Sequence, residues 1–134
     1  MSIKTLTKDR FTFIAYKREN FGDYVELKKT VDGLTSQEHT SDIAIDFTPC
    51  ISILENEMAI IASTIKKLLP TKRCLHLITK EADLKKLRQN HIMSFENVKV
   101  YENHSEFLND VNRTEGTNRD AGAGEEGNKR DAGG

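Results

Sequence analysis

Tryptophan is absent, proline occurs twice and cysteine twice, and six of the eight glycines fall after residue 115. Each scarcity excludes something. Cys50 and Cys74 stand at no metal-ligand spacing and are too few for a disulfide scaffold, so in a reduced compartment both read as small buried hydrophobes. No apolar run approaches the roughly 18 residues of a membrane span. The opening stretch "MSIKTLTKDRFTF" has no signal-peptide core, and the expectation is a cytoplasmic protein. Net charge is -1, which gives no general attraction to nucleic acid or to a membrane. The chain contains no G-x-S-x-G, no G-x-x-x-x-G-K and no G-x-G-x-x-G, so the common nucleophile, P-loop and dinucleotide motifs are missing. No metal or organic cofactor is implied, and the expectation is a protein that is not an enzyme.

What is present divides into a body and a tail. The last large apolar residue is Val111, and "NRTEGTNRDAGAGEEGNKRDAGG" follows, with "RDAG" twice. Such a segment cannot offset the entropy of ordering its backbone, so residues 112–134 read as a disordered Gly-rich polar tail and 1–111 as one domain. Within the body, "FTFIAYK" and "YVELKK" alternate as strands, with "RENFGD" as a hairpin loop between them. "IAIDF" and "CLHLI" are short continuous apolar runs of the kind covered on both faces, and "VKVY" is a further short strand. Ser52 and Glu55 fit a capping box at the start of a helix. Leu54, Met58, Ile61, Ile65 and Leu68 then form one apolar stripe that Pro70 ends. Thr79 fits the N-cap of a second helix with Leu84, Leu87 and His91 on one face, where His91 reads as an interior histidine. Asn103 and Glu106 open a third. The predicted order is β-β-β-α-β-α-β-α, an α/β fold with a mixed sheet of four to five strands and three helices.

The stretch from Ile43 to Val111 resembles a STAS domain, the fold of bacterial anti-sigma-factor antagonists. Asp46-Phe47-Thr48-Pro49 stands where that family carries an Asp-Leu-Ser-Gly-like segment. "KKLLPTKRCLHLITKEADLKKLRQNHI" has its helix–strand–helix spacing, and "VKVYENHSEFLNDV" resembles its closing strand and helix. Two departures stand out. The family's helix before the central strand finds too little room between Gly33 and Asp46. The family's Asp-Ser-Ser-Gly falls, counted from Asp46, on Leu54, Glu55, Asn56 and Glu57, so a glutamate takes the phosphoacceptor position. Glu55 is either a permanent stand-in for a phosphoserine or a capping glutamate favoured by the helix dipole. Ser52 is the alternative acceptor if the alignment has a gap, or a plain N-cap. Ser63 and Thr64 read as ordinary exposed helix residues.

The resemblance implies a non-catalytic regulatory domain that binds a protein through Thr48, Pro49, Ser52, Glu55, Asn56 and Ala59. Its partner would be a serine kinase or anti-sigma factor, or another STAS protein; neither nucleic acid nor membrane is implied. The alternatives are a scaffold or self-associating module without the switch, and a small-ligand module around Pro49, Cys50 and Thr79. A phosphorylated receiver domain built on Asp46 and Lys80 is rejected, because no earlier strand supplies an acidic pair. Lys66, Lys67, Lys72 and Arg73 read as a solvated basic helix end.

Overall fold

A computed structural model of the chain describes residues 2–8, 10–36 and 40–112. Five strands form one mixed sheet in the order β1-β2-β3-β4-β5: β1 Ser2–Lys8, β2 Phe11–Lys17, β3 Asp42–Asp46, β4 Leu75–Ile78 and β5 Val98–Tyr101. β1 and β2 pair antiparallel; β2 to β5 run parallel, as the strand–helix alternation requires. Three helices connect them: α1 Tyr24–Leu34, α2 Glu55–Leu68 and α3 Glu81–Gln89. Residues 104–112 form a separate C-terminal unit, the helix α4, directly after Asn103. The tail expected from residue 112 lies outside the described residues, apart from Asn112, the last described residue, which lies in α4. Among the described residues, no helix is long and apolar enough to cross a membrane.

The expected fold class holds, but the described residues contain four α-helices rather than the three expected, because one expected strand is a helix. "YVELKK" is not a strand but the first half of α1. Alternation put Val25 and Leu27 inward together; Val25 is exposed, whereas Leu27 and Val31 are buried with Tyr24 and Leu34 packed beside them. Those four positions have helical spacing. "RENFGD" is therefore not a hairpin loop. The Asp23 carboxylate accepts the Asn20 and Glu19 N–H groups at 2.9 and 2.8 Å and starts the helical turn that leads into α1. The helix before the central strand, expected to lack room after Gly33, is thus present as α1, which starts ahead of Gly33 and contains it. The second strand of the antiparallel pair is β1, joined to β2 around residues 9 and 10.

One sheet face forms the core. Ile14, Tyr16, Ile43, Ile45, Leu75 and Leu77 are fully buried and belong to one cluster with residues of α1, α2 and α3. Met58, Ile61, Ile65 and Leu68 of the predicted stripe are buried; Thr64, expected outside, is buried too and returns its hydroxyl to the Ile60 carbonyl at 2.7 Å. Ser63 is exposed. α2 ends at Leu68, and Pro70 sits in the tight turn that follows.

Four readings of caps and exposure are corrected. α2 begins at Glu55 with Leu54 as N-cap, so Ser52 lies before the helix. Lys80, not Thr79, caps α3, and Thr79 is buried at the end of β4. His91 lies past the end of α3, exposed, at φ 60°, and is not an interior histidine. His76 has that role: it is buried between Asp42 (Nε2–Oδ2 3.1 Å) and the Tyr101 hydroxyl (3.2 Å). Burial opposes the charge on Asp42, but its hydrogen bonds to His76 and the Cys74 N–H hold its carboxyl below the usual range. Arg73 also leaves the basic helix end. It is buried, and its guanidinium donates to the Ser41 and Leu34 carbonyls at 2.7 Å each, tying the end of α1 to the start of β3.

Two measurements check this packing. Ile61→Ala or Ile65→Ala should cost about 2–5 kcal/mol in denaturant unfolding, and Lys66→Ala under about 0.5 kcal/mol, because only the first two empty a filled core. Both cysteines are free. Cys50 follows the end of β3 and Cys74 precedes the start of the parallel β4, a separation of roughly one strand length, beyond the ~7 Å Cα limit of a disulfide. Thiol titration in denaturant should find two groups. In the native protein Cys50 should react the more slowly, since it is 1% exposed and burial pushes its thiol up.

Candidate functional site

The segment from Phe47 to Leu54 leaves the carboxyl end of β3 and crosses to the first turn of α2. Asp46 starts it: Oδ1 accepts the Thr48 N–H at 2.9 Å and the Thr48 hydroxyl at 2.7 Å, a local turn that a short acidic side chain favours. Cys50 closes that turn with its N–H on the Phe47 carbonyl at 3.0 Å. Asp46 is buried and serves the backbone.

Beyond Cys50, side chains from three elements hold the backbone. Lys80 Nζ donates to the Cys50 carbonyl at 2.6 Å, and Arg18 Nη2 to the Ser52 carbonyl at 3.0 Å. Lys86 Nζ donates to the Ile53 carbonyl at 2.9 Å, and Asp83 Oδ1 accepts the Ile53 N–H at 3.1 Å. Glu57 Oε1 accepts the Leu54 N–H at 2.9 Å. Leucine has no side-chain oxygen, so this is the returning half of a capping box alone.

Glu57 has no solvent exposure. Tyr16 donates its hydroxyl to Oε2 at 2.7 Å, and Arg18 Nη1 donates to Oε1 at 2.5 Å. A buried carboxylate is tolerated when it is paired and its oxygens are hydrogen-bonded, and both conditions are met. Burial, then the carboxylate beside it, pushes the Tyr16 phenol far up, so Tyr16 is a neutral donor. Burial works against the Arg18 charge, but Glu57 outweighs it and raises the guanidinium.

The residues expected to bind a partner come together here. Pro49, Glu55 and Ala59 are exposed; Thr48, Ser52 and Asn56 are half-buried. Glu55 occupies the first position of α2, where the helix dipole favours a negative charge. Ser52 is anchored by its carbonyl. Sequence reasoning missed Ile51, which is 88% exposed at the loop tip. It also missed Arg18, Tyr16, Asp83 and Lys86, whose partners lie 30 or more residues away. Glu57 has a visible signal, an acid at the third helical position, but the box expected on Ser52 and Glu55 lies two residues too early.

Two shallow grooves flank the exposed ridge of α2. One, of about 540 Å³, is lined by Leu54, Glu55, Met58, Ala62, Lys86 and Ile92; the other, of about 310 Å³, by Tyr24, Lys28, Asn56, Ile60 and Ser63. Ala59 borders both. Cys50 and Thr79, proposed as a ligand site with Pro49, are both buried. Lys80, the receiver-like lysine, is committed to the Cys50 carbonyl. Among the described residues, no group of three acidic, histidine or cysteine side chains is arranged to hold a metal.

The pinning makes a quantitative expectation. Arg18→Ala leaves the buried Glu57 carboxylate uncompensated and should cost about 3–5 kcal/mol in chemical unfolding, whereas Glu57→Ala leaves the half-buried Arg18 and should cost less. The double variant should cost clearly less than the sum of the two. Additive losses would show that the pair does not act as a unit.

No family model and no curated protein matches the chain. Solved structures do. A Thermotoga maritima protein described as an anti-sigma factor antagonist superposes with a TM-score of 0.65 at 17% identity, covering 82% of this chain and 94% of its own. The NMR structure of that protein gives 0.64 at 19% identity, covering 84% and 90%. An anti-sigma-factor antagonist (STAS) domain protein from Planctomyces limnophilus gives 0.65 at 14%, covering 79% and 94%. At such identities the agreement is one of fold alone, and on that ground this chain has a STAS-like fold.

Proposed function

We propose that this domain is a non-catalytic regulatory module that binds a protein partner through the loop 47–54 and the first turns of α2, in the manner of an anti-sigma-factor antagonist. The observation that carries this reading is the loop itself. Its backbone is fixed by Arg18, Lys80, Lys86, Asp83 and Glu57, while Pro49, Ile51, Glu55 and Ala59 stay exposed on it and on the adjoining helix. A fixed exposed apolar tip ringed by polar groups has the makeup of an interface anchor. The three fold neighbours, two of them described as anti-sigma-factor antagonists, support the choice of partner class: a serine kinase or anti-sigma factor, or another STAS protein. The setting is bacterial and cytoplasmic in this reading.

Glu55 stands at the position the family uses for phosphorylation. It gives the surface one permanent negative charge where a phosphoserine would come and go. The scaffold reading, in which the serine switch is lost, rests on the same residue and differs only in the partner.

Two substitutions test the proposal with partners recovered by pull-down from the native cell. Glu55→Ser should cost about 1 kcal/mol of stability, the scale of a cap and dipole contribution, yet change partner affinity by about tenfold or more. Ile51→Ala should leave stability within about 0.5 kcal/mol and weaken the same partner by a similar factor. Affinities within twofold of wild type for both variants, across every recovered partner, would leave Glu55 a helix cap and the loop no docking surface.

A further inference from the structure

The sheet has an open edge on β1. Seven residues of this strand pair in continuous register with β2, without a bulge, and among the described residues no strand lies on its other side. About half of its N–H and C=O groups therefore point away from β2, where no described strand pairs with them. Of the usual devices against edge pairing, β1 has lysines, Lys4 and Lys8, but no proline and no break in register. Lys4, Thr5, Leu6 and Thr7 are exposed, and Leu6 is 54% exposed. A groove of about 610 Å³ runs beside the strand, lined by Ser2, Ile3, Lys4, Thr5, Glu26 and Thr30.

We propose that this edge pairs antiparallel with β1 of a second copy of the chain, about a two-fold axis at Thr5. Side-chain alternation restricts the choice, because a two-fold sheet extension must set residues of like parity opposite one another. Centring on Lys4 places lysine against lysine, which is destabilising for residues directly opposite. Centring on Thr5 uses the whole strand and sets Thr5 against Thr5, Ile3 against Thr7 and Lys4 against Leu6. Threonine pairs are favourable across strands, and the lysine stem can cover an exposed leucine while its charge stays in water. The groove wall adds Glu26 beside a strand that carries lysines and no acid. Its existing ion pair with Lys29 is loose, at 3.7 Å between two exposed side chains. One strand pair buries less than a standard interface, so the dimer is weak and depends on concentration. This inference stands apart from the reading of the loop.

Sedimentation velocity on the full chain tests it. Between about 5 and 500 µM the weight-average mass should rise from one chain towards two. The register makes the sharper demand. Leu6→Lys sets lysine against Lys4 twice per dimer and should weaken association about tenfold, whereas Leu6→Glu sets a carboxylate there and should tighten it about tenfold. Lys4→Glu combined with Leu6→Lys restores opposite charges and should restore the wild-type constant. Leu6 is exposed, so circular dichroism should show each variant folded. A monomer across the whole range would overturn the proposal and leave the edge for an extended peptide of another protein. A dimer indifferent to all three variants would place the contact elsewhere and overturn it equally.

Discussion

Glu57 is a carboxylate without solvent contact, and the surface that the site presents depends on how it is held. An unpaired ion in a protein interior costs several kcal/mol even after relaxation. Here the Arg18 guanidinium and the Tyr16 hydroxyl take its oxygens, and the Leu54 N–H takes a share of one. Such a cluster contributes little net stability compared with well-packed apolar residues. Its effect is positional: Arg18 comes from the end of β2, Glu57 from the first turn of α2, and the second arm of Arg18 reaches the loop carbonyl between them. A strand end, a helix start and the turn that joins the next strand to that helix are fixed to one another by a single guanidinium.

The opposite end of the sheet repeats the tactic with other residues. Arg73, just ahead of β4, binds carbonyls at the end of α1 and before β3. Asp42, at the start of β3, meets His76 and the Cys74 N–H. Where chain segments enter and leave a parallel sheet, backbone groups fall outside the ladder and need partners. This protein supplies them with long cationic side chains and short acids rather than with more secondary structure. The scarcity of proline and glycine in the body fits that arrangement, because the turns are set by side-chain bonds more than by restricted or permissive backbones.

This division explains what the sequence disclosed. β2, β3, β4, β5 and α2 are legible because each buries apolar residues at its own period, visible within one short window. β1 is not: Ile3 and Leu6 are three apart, out of strand phase, and the strand is held by its ladder to β2 rather than by a buried face. α1 was misread because Val25 and Leu27 alternate by chance, while the pattern that matters, Tyr24, Leu27, Val31 and Leu34, extends past the window. The position of the loop and of Glu55 could be read from the resemblance. The residues that fix the loop could not, because their partners are far away in sequence and an anchoring arginine looks like any other arginine until its carbonyl is found.

The loop's many anchors also bear on the rate at which anything could bind it. A flexible loop visits its binding-competent shape for only a fraction of the time, and its apparent affinity falls by that fraction. A loop whose carbonyls are already occupied by Lys80, Arg18 and Lys86 spends little time elsewhere, so Ile51 would meet any partner with its ordering entropy settled at folding. Changes to the exposed tip then alter how long a complex lasts. Changes to the anchors would alter how often an encounter succeeds, although none of those anchors need touch the partner.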